Sequence, residues 1–121
     1  MGRTMHIRKV LSLVTTAAFA LSLASTAGAG DAKKGKIAYT SRCAFCHGPG
    51  GKGDGPAAAQ LRPPPTNFTT PDFWKNATSD TIKTVIQNGK QGTPMLSFKA
   101  SLNTEQIDDL IAYLQTFKPQ Q

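Results

Sequence analysis

The amino-acid sequence predicts an all-α fold in which long loops join a small number of helices. Apolar residues recur at helical spacing in two segments, around Ile82–Ile86 and Ile107–Leu114, and no segment alternates apolar and polar residues as a strand does. Glycine and proline are concentrated between residues 48 and 72, which predicts loop structure there. With 121 residues, the chain is long enough for at most one domain.

The N-terminal segment has the layout of a secretory signal peptide, predicted to span residues 1–29. A basic start precedes an uncharged run from Val10 to Ala29, which ends in the small residues of an A-x-A cleavage site. Cleavage after Ala29 leaves residues 30–121 as the mature domain. The alternative is an uncleaved membrane anchor, because the uncharged run is just long enough to span a bilayer. Both interpretations place the domain outside the cytoplasm, in the periplasm or a comparable exported location.

The charge of the chain gives little support to nucleic-acid binding. Three of the fourteen basic residues lie in the predicted signal, so the mature domain keeps eleven basic against seven acidic residues, a net charge of +4. The lysines are spread along the chain without the dense basic cluster that nucleic-acid-binding proteins usually have. A mildly basic, solvated surface favours acidic partners instead.

The mature domain is predicted to begin with a helix that leads into the first cysteine. Asp31 is the expected N-cap, and the helix runs from there to Cys43. Ile37 and Tyr39 are expected to form a short apolar stripe. Gly35, one turn before Tyr39, costs about 1 kcal/mol relative to alanine in a helix. A close helix crossing explains this glycine, with a simple loop boundary as the alternative.

The centre of the chain combines a proline-rich loop with a second helix. Pro63–Pro65 is expected to be extended polyproline II, and Pro71 is expected to open a short helical turn. A helix follows with Ser79 as its N-cap and Gly89 at its C-terminal end, where a left-handed residue is typical. No partner or role is predicted for the proline-rich segment 62–71.

The C-terminal helix has the clearest pattern in the chain. Asn103, with Gln106 three residues later, forms a capping-box start. Its aliphatic residues recur on one face, as those of an amphipathic helix do. The expected core and pocket wall consist of Phe45, Leu61, Phe68, Phe73, Ile82, Val85, Ile86, Phe98, Ile107, Leu110, Ile111 and Leu114.

The chemistry is predicted to reside in Cys43-Ala44-Phe45-Cys46-His47. Two cysteines three apart, followed by a histidine, form the CxxCH signature of c-type haem attachment. Cys43 and Cys46 on one short turn can form thioether bonds to the two vinyl groups of one porphyrin. His47 is then next in line as an axial ligand of the iron. The export signal strengthens this interpretation, because c-type haem is attached outside the cytoplasm.

Three other uses of the same residues are weaker. A structural zinc site usually has four protein ligands, and the predicted mature chain has no other cysteine or histidine. A thioredoxin-like dithiol is expected in a βαβ setting, of which the sequence shows no sign. A Cys43–Cys46 disulfide in a non-haem extracytoplasmic binding module is the third alternative, and it leaves His47 without a role.

Met95 is the candidate for the second axial ligand of a haem iron. The sixth position can be taken by methionine, histidine, lysine, a small molecule or nothing. A second histidine is excluded, because His47 is alone in the mature domain. Met95 is the only methionine left after cleavage, and it lies in a loop between two predicted helices. A loop methionine packed against the core is the alternative.

These features resemble those of the class I monohaem cytochromes c, in particular exported bacterial members, over about residues 31–118. The matching motifs are CxxCH, a first helix with Gly35 and Tyr39, and the C-terminal sequence DLIAYL with Tyr113. The resemblance implies the cytochrome c fold, with N- and C-terminal helices that cross and long loops around one covalently bound haem c.

The resemblance also implies roles for individual residues. The iron is bound by His47 and Met95 as axial ligands. The family's Gly-Pro pair matches Gly55-Pro56, so the Pro56 carbonyl is expected to accept the ring N–H of His47. Pro94 before Met95 departs from the family, in which a proline often follows the methionine.

The function implied by the resemblance is electron transport by an exported carrier that is not an enzyme in its own right. Redox proteins are expected to dock transiently at the haem edge, and Lys33, Lys52 and Lys90 can steer acidic partners. The alternative is a haem-bearing subunit or ligand-binding sensor of a larger redox complex, which requires a labile sixth ligand. No nucleic-acid partner is expected, and no membrane span after signal cleavage.

Three polar residues are weaker candidates for contacts with the haem. Trp74 can donate its indole N–H to a haem propionate, or pack against the haem edge or the core. Arg62 and Asn67 are candidates for propionate contacts, with a solvated loop as the alternative for each.

Overall fold

The computed structural model describes Gly2 and residues 30–120. Apart from Gly2, the predicted signal peptide lies outside the described residues, and so does Gln121. The described chain contains helices and loops but no strand, so the all-α prediction is confirmed. The helices are α1 (Ala32–Arg42), α2 (Ala44–His47), α3 (Pro71–Asn76), α4 (Ser79–Asn88) and α5 (Thr104–Leu114), with 3-10 turns at Ala58–Gln60 and Gln115–Phe117. Within the described residues, no helix is long and apolar enough to cross a membrane.

The helices α1 and α5 cross at Gly35, so the predicted close crossing is confirmed. A Cβ atom at Gly35 would overlap the backbone carbonyl of Asp109 and lie 2.9 Å from the Cβ of Tyr113, so only glycine permits this approach. A second link joins the same helices, because the backbone N–H of Asp31 donates to Oδ1 of the buried Asp109 over 2.6 Å. The crossing therefore sets the direction in which α1 approaches the cysteines.

Capping residues set the helix boundaries, mostly where the sequence predicts them. The helix α4 begins one residue earlier than predicted, because Thr78 rather than Ser79 is its N-cap, in a reciprocal capping box with Thr81. The other predicted boundaries are confirmed: Asp31 at α1, Pro71 at α3, Gly89 at the end of α4, and Asn103 with Gln106 at α5.

The core lies between α1, α4 and α5 and includes one residue of the central loop. Its buried apolar members are Tyr39, Phe68, Ile82, Ile86, Leu102, Ile107, Leu110, Ile111 and Leu114. Two predictions for apolar residues are wrong, since Ile37 is 73 % exposed and Phe45 is 67 % exposed. Ile37 lies two residues from Tyr39, about 200° around the helix, and therefore on another face. Phe45 lies between two cysteines that line a cavity, so the turn of α2 directs its ring outward.

Candidate functional site

The CxxCH segment forms the junction between α1 and the single turn of α2. The N–H of Cys43 donates to the Tyr39 carbonyl over 2.8 Å, and the N–H of His47 donates to the Cys43 carbonyl over 2.8 Å. Residues three and four apart lie on the same side of a helical turn. Cys43, Cys46 and His47 accordingly line one cavity.

This cavity has a volume of about 530 Å³, within the range of about 300–1,000 Å³ that is typical of cofactor sites. Its apolar wall includes Leu61, Phe68, Phe73, Ile82, Val85, Ile86, Phe98, Leu110 and Leu114. All nine agree with the predicted pocket wall and core. Ile107 and Ile111 belong to the core but do not line the cavity.

One ring nitrogen of His47 has a partner within the protein. Nδ1 lies 3.1 Å from the backbone carbonyl of Thr66, and since a carbonyl only accepts, Nδ1 carries the proton. The ring also stacks on Phe68, with 4.6 Å between the ring centroids. Burial lowers the pKa of His47 and so favours the neutral form that binds metals. Nε2 is the nitrogen available to ligate an iron.

The prediction that Pro56 orients His47 is wrong. Pro56 is exposed, and the carbonyl at Nδ1 of His47 belongs to Thr66. The N–H of Gly55 donates to the Cys46 carbonyl over 3.1 Å. The Gly55-Pro56 pair therefore packs against the backbone of α2 rather than against the histidine ring.

Thr66 reaches His47 because the proline-rich loop folds back over the glycine-rich turn. The N–H of Phe68 donates to the Gly51 carbonyl over 2.7 Å and ties the two loops together. The side chain of Asn67 holds the bend by accepting a backbone N–H two residues further on. This asparagine after three prolines is a sequence signal for a bend, although it does not reveal which carbonyl faces His47.

Trp74 serves the core and not the cavity. Its indole N–H donates to the Phe68 carbonyl over 2.7 Å, and its ring meets Phe73 edge-on with 4.9 Å between centroids. It does not line the cavity. The propionate alternative for Trp74 is therefore wrong, because its donor is already used, whereas the core-packing alternative agrees with the structure.

The polar residues that face the cavity differ from the predicted ones. Arg62 is exposed and donates to two carbonyls near it in the chain, and Asn67 is used in its own turn, so both agree with the solvated-loop alternative. The wall includes two cations, Arg42 and Lys90; the sequence analysis did not name Arg42 and assigned Lys90 only to the steering of partners. The available signal was the position of Arg42 directly before Cys43.

Met95 lies in the segment between α4 and α5 and is half-buried. It lines the same cavity as His47 and the two cysteines. The Met95 carbonyl accepts the N–H of Lys90 over 3.1 Å, and its own N–H donates to the Thr93 hydroxyl over 3.2 Å. The structure thus brings together, around one cavity, all four residues that the sequence predicts as haem anchors and axial ligands.

No disulfide joins Cys43 and Cys46 in the structure. Burial raises the pKa of the Cys43 thiol to about 11, so this thiol is protonated at neutral pH. In the described part of the chain, no three His, Cys, Asp or Glu side chains cluster as a metal site, so the zinc alternative gains no support.

A family model described as cytochrome c matches residues 32–118. The chain belongs to the cytochrome c family. This cytochrome is similar to a cytochrome c6 of Rippkaea orientalis (strain PCC 8801 / RF-1), with 35 % identity over 112 residues that cover 89 % of this chain and 92 % of the relative. It is also similar to cytochrome c-554(547) of Halothiobacillus neapolitanus, with 35 % identity over 92 residues that cover 74 % of this chain and 100 % of the relative.

Among solved structures, the cytochrome is similar to a chain of the Kuenenia stuttgartiensis reducing HAO-like protein complex Kustc0457/Kustc0458. The two share 30 % sequence identity, and the TM-score is 0.61. The match covers 71 % of this chain but 42 % of the other one, so the cytochrome spans less than half the length of that chain.

The site fits the cofactor of the family. This cytochrome carries one covalently bound haem c with its iron, and its chemistry is haem-based electron transfer. Such a group requires two cysteines at CxxCH spacing, a histidine whose Nε2 can reach a metal, and a mainly apolar cavity of cofactor size. All three are present in the described chain.

Proposed function

We propose that this cytochrome is an exported one-electron carrier whose haem iron is bound by His47 and Met95, with Cys43 and Cys46 as covalent anchors. The observation that carries the proposal is that these four residues line one cavity. The bound haem supplies an iron that alternates between Fe(II) and Fe(III). No bond of a substrate is made or broken in such a transfer, so the protein acts as a carrier and not as an enzyme.

The residues around the cavity hold and tune this iron. The Thr66 carbonyl accepts a hydrogen bond from the Nδ1–H of His47. This bond fixes the ring orientation and leaves Nε2 as the ligating atom. Met95 as the second ligand would raise the reduction potential of the iron relative to ligation by two histidines. The apolar wall acts in the same direction, because a low-dielectric surrounding disfavours the additional positive charge of the oxidised iron.

Redox proteins are the proposed partners, through small and transient contacts. The side chains of Lys33, Lys52 and Lys90 are exposed and carry positive charge at the surface. Positive surface charge speeds the encounter with acidic partners at low salt. Two carrier-sized relatives, a cytochrome c6 and cytochrome c-554(547), support a small cytochrome that works as a separate protein.

The axial ligation is tested by replacing Met95 with alanine in the haem-loaded protein. We expect Met95→Ala to abolish the weak near-infrared band of methionine-ligated ferric haem and to lower the reduction potential. Gln91→Ala is the matched control, because Gln91 lies in the same segment between α4 and α5, is exposed and does not line the cavity. A band that survives in Met95→Ala, or a high-spin spectrum in the wild type, contradicts the proposed ligation.

A second candidate role is that of a haem-bearing subunit or ligand sensor within a larger redox complex. The similarity to a chain of the reducing HAO-like protein complex favours this role. This role requires that Met95 either does not bind the haem iron or binds it weakly, so that the sixth coordination position is open to a ligand. A high-spin wild-type spectrum, together with tight binding of an added ligand such as imidazole, would favour the subunit or sensor over the separate carrier.

A further inference from the structure

The segment that carries Met95 also caps the C-terminal end of α4. The last carbonyls of a helix have no partner within the helix and must bond elsewhere. The Ile86 carbonyl accepts the N–H of Phe98 over 2.9 Å, and the Gln87 carbonyl accepts the hydroxyl of Ser97 over 2.5 Å. The chain therefore returns to the helix directly after Met95.

The other end of the same segment is closed equally tightly. The Thr93 hydroxyl donates to the Lys90 carbonyl over 2.7 Å while it accepts the N–H of Met95. Gly89 has a φ of 72°, and a Cβ there would lie 2.7 Å from the Met95 carbonyl oxygen and 2.9 Å from the Ser97 nitrogen. The backbone on both sides of Met95 is thus pressed against the end of α4.

We propose that Ser97 is a positioning residue for Met95, which holds the methionine at the cavity through its bond to α4. This inference rests on the proposed ligation by His47 and Met95. The helix is a suitable reference, because Ile86 from its last turns lines the same cavity and is buried. The Ser97 hydroxyl is a side-chain tether from the segment to this reference, two residues after the ligand.

Because Ser97 is exposed, a positioning role and a purely structural role predict different effects when its hydroxyl is removed. Ser97 is exposed, so removing its hydroxyl leaves the Gln87 carbonyl to water instead of leaving it buried and unpaired. The free energy of global unfolding should therefore change little. Local opening of residues 90–98 should become more frequent, and each opening withdraws Met95 from the cavity.

The experiment compares the haem-loaded wild type with Ser97→Ala and with Ser101→Ala as the control. Ser101 is also exposed and its hydroxyl donates to the Phe98 carbonyl over 3.4 Å, so it bonds the end of the segment without tethering it to α4. Imidazole added to the ferric protein competes with the methionine, so its affinity measures how often Met95 is released. We expect Ser97→Ala to bind imidazole about fivefold more tightly than wild type, the effect of losing the bond to the Gln87 carbonyl. The N–H of Lys99 also donates to the Ser97 hydroxyl, over a longer distance of 3.4 Å.

Ser97→Thr keeps the hydroxyl and should restore the wild-type affinity for imidazole, whereas Ser101→Ala should leave it unchanged. If Ser97→Ala and Ser101→Ala bind imidazole with equal affinity while the wild type shows the near-infrared methionine band, the positioning role is overturned and the ligation by Met95 stands. A wild type without that band overturns the ligation by Met95, and the positioning role with it.

Discussion

Tyr39 joins the core to the turn that follows His47. Its ring is 1 % exposed and packs against Tyr113 and Phe117. Its hydroxyl donates to the carbonyl of Gly48 over 2.6 Å. Burial raises the pKa of Tyr39 well above its ordinary value of 10.0, so the hydroxyl remains a donor when exposed tyrosines have ionised.

Replacing Tyr39 with phenylalanine should lower the free energy of unfolding at pH 7 by about 1–2 kcal/mol, because a buried carbonyl loses a donor at constant ring volume. The stabilising effect of the hydroxyl is fully present below the unfolded pKa and is lost as the pH rises towards the higher folded pKa. The difference between wild type and Tyr39→Phe should therefore shrink above about pH 10. Denaturant unfolding of the haem-loaded proteins at pH 7 and pH 11 measures both effects.

The control for this prediction is Tyr113→Phe. Tyr113 belongs to the same aromatic cluster, but its hydroxyl does not bond the turn after His47. Equal losses of stability in Tyr39→Phe and Tyr113→Phe would show that the bond to Gly48 contributes nothing specific.

Single residues also show where prediction from the sequence stops. That Cys43, Cys46, His47 and Met95 meet at one cavity is predictable, because haem chemistry admits few residue types and the predicted mature chain offers few of them. Thr66 is not predictable, because every residue has a backbone carbonyl and only the fold decides which one faces a ring. The propionate contact predicted for Trp74 fails for a related reason, because its indole N–H donates to the backbone carbonyl of Phe68, six residues earlier.

At the scale of elements, helix ends are predictable because capping depends on neighbours in the sequence. Even the error at α4 is a choice between two adjacent hydroxyl residues, Thr78 and Ser79. The crossing of α1 and α5 is predictable because an unfavourable glycine in a helix calls for an explanation. The path of the proline-rich loop is not, because it depends on a bond between Phe68 and Gly51, which are distant in sequence and follow no periodic pattern.

The close crossing of α1 and α5 can be tested by the sign of the stability change in Gly35→Ala. Helix propensity alone predicts that Gly35→Ala stabilises the protein by about 1 kcal/mol. Overlap with the Asp109 carbonyl predicts the opposite, a loss of about 1–3 kcal/mol and a lower Tm, because backbone atoms must move apart. Gly50→Ala is the control, since a Cβ there meets no atom within 4 Å and its Tm should change little. A higher Tm for Gly35→Ala in thermal unfolding refutes the close crossing.

At the scale of the whole molecule, the core and the haem cavity share residues. Six of the nine buried apolar side chains also line the cavity, namely Tyr39, Phe68, Ile82, Ile86, Leu110 and Leu114. A domain of this size has a limited core of its own, so a covalently held haem that contacts this wall adds buried apolar area. This coupling explains why one five-residue motif predicts so much of the fold, since the helices are arranged to enclose the group that the motif attaches.

The first residues of the predicted mature domain, Gly30 and Asp31, pack against α5. A Cβ at Gly30 would overlap the Asp108 carbonyl and lie 2.5 Å from the Asp109 nitrogen, so the chain passes directly over the helix backbone. The next N–H, that of Asp31, bonds the Asp109 carboxylate. Gly30 and Asp31, which follow the predicted signal, are thus both held against α5.

We accordingly predict that the protein matured in its native host begins at Gly30 and carries one haem. Intact mass spectrometry should give the mass of residues 30–121 plus one haem, retained after denaturation because the thioether bonds are covalent. Replacing Ala29 with lysine should block cleavage, because the signal peptidase requires small residues at its site, and should leave a heavier chain. A wild-type mass that includes residues 1–29 together with the haem would instead establish a retained anchor. A mature mass without haem would contradict covalent attachment through Cys43 and Cys46.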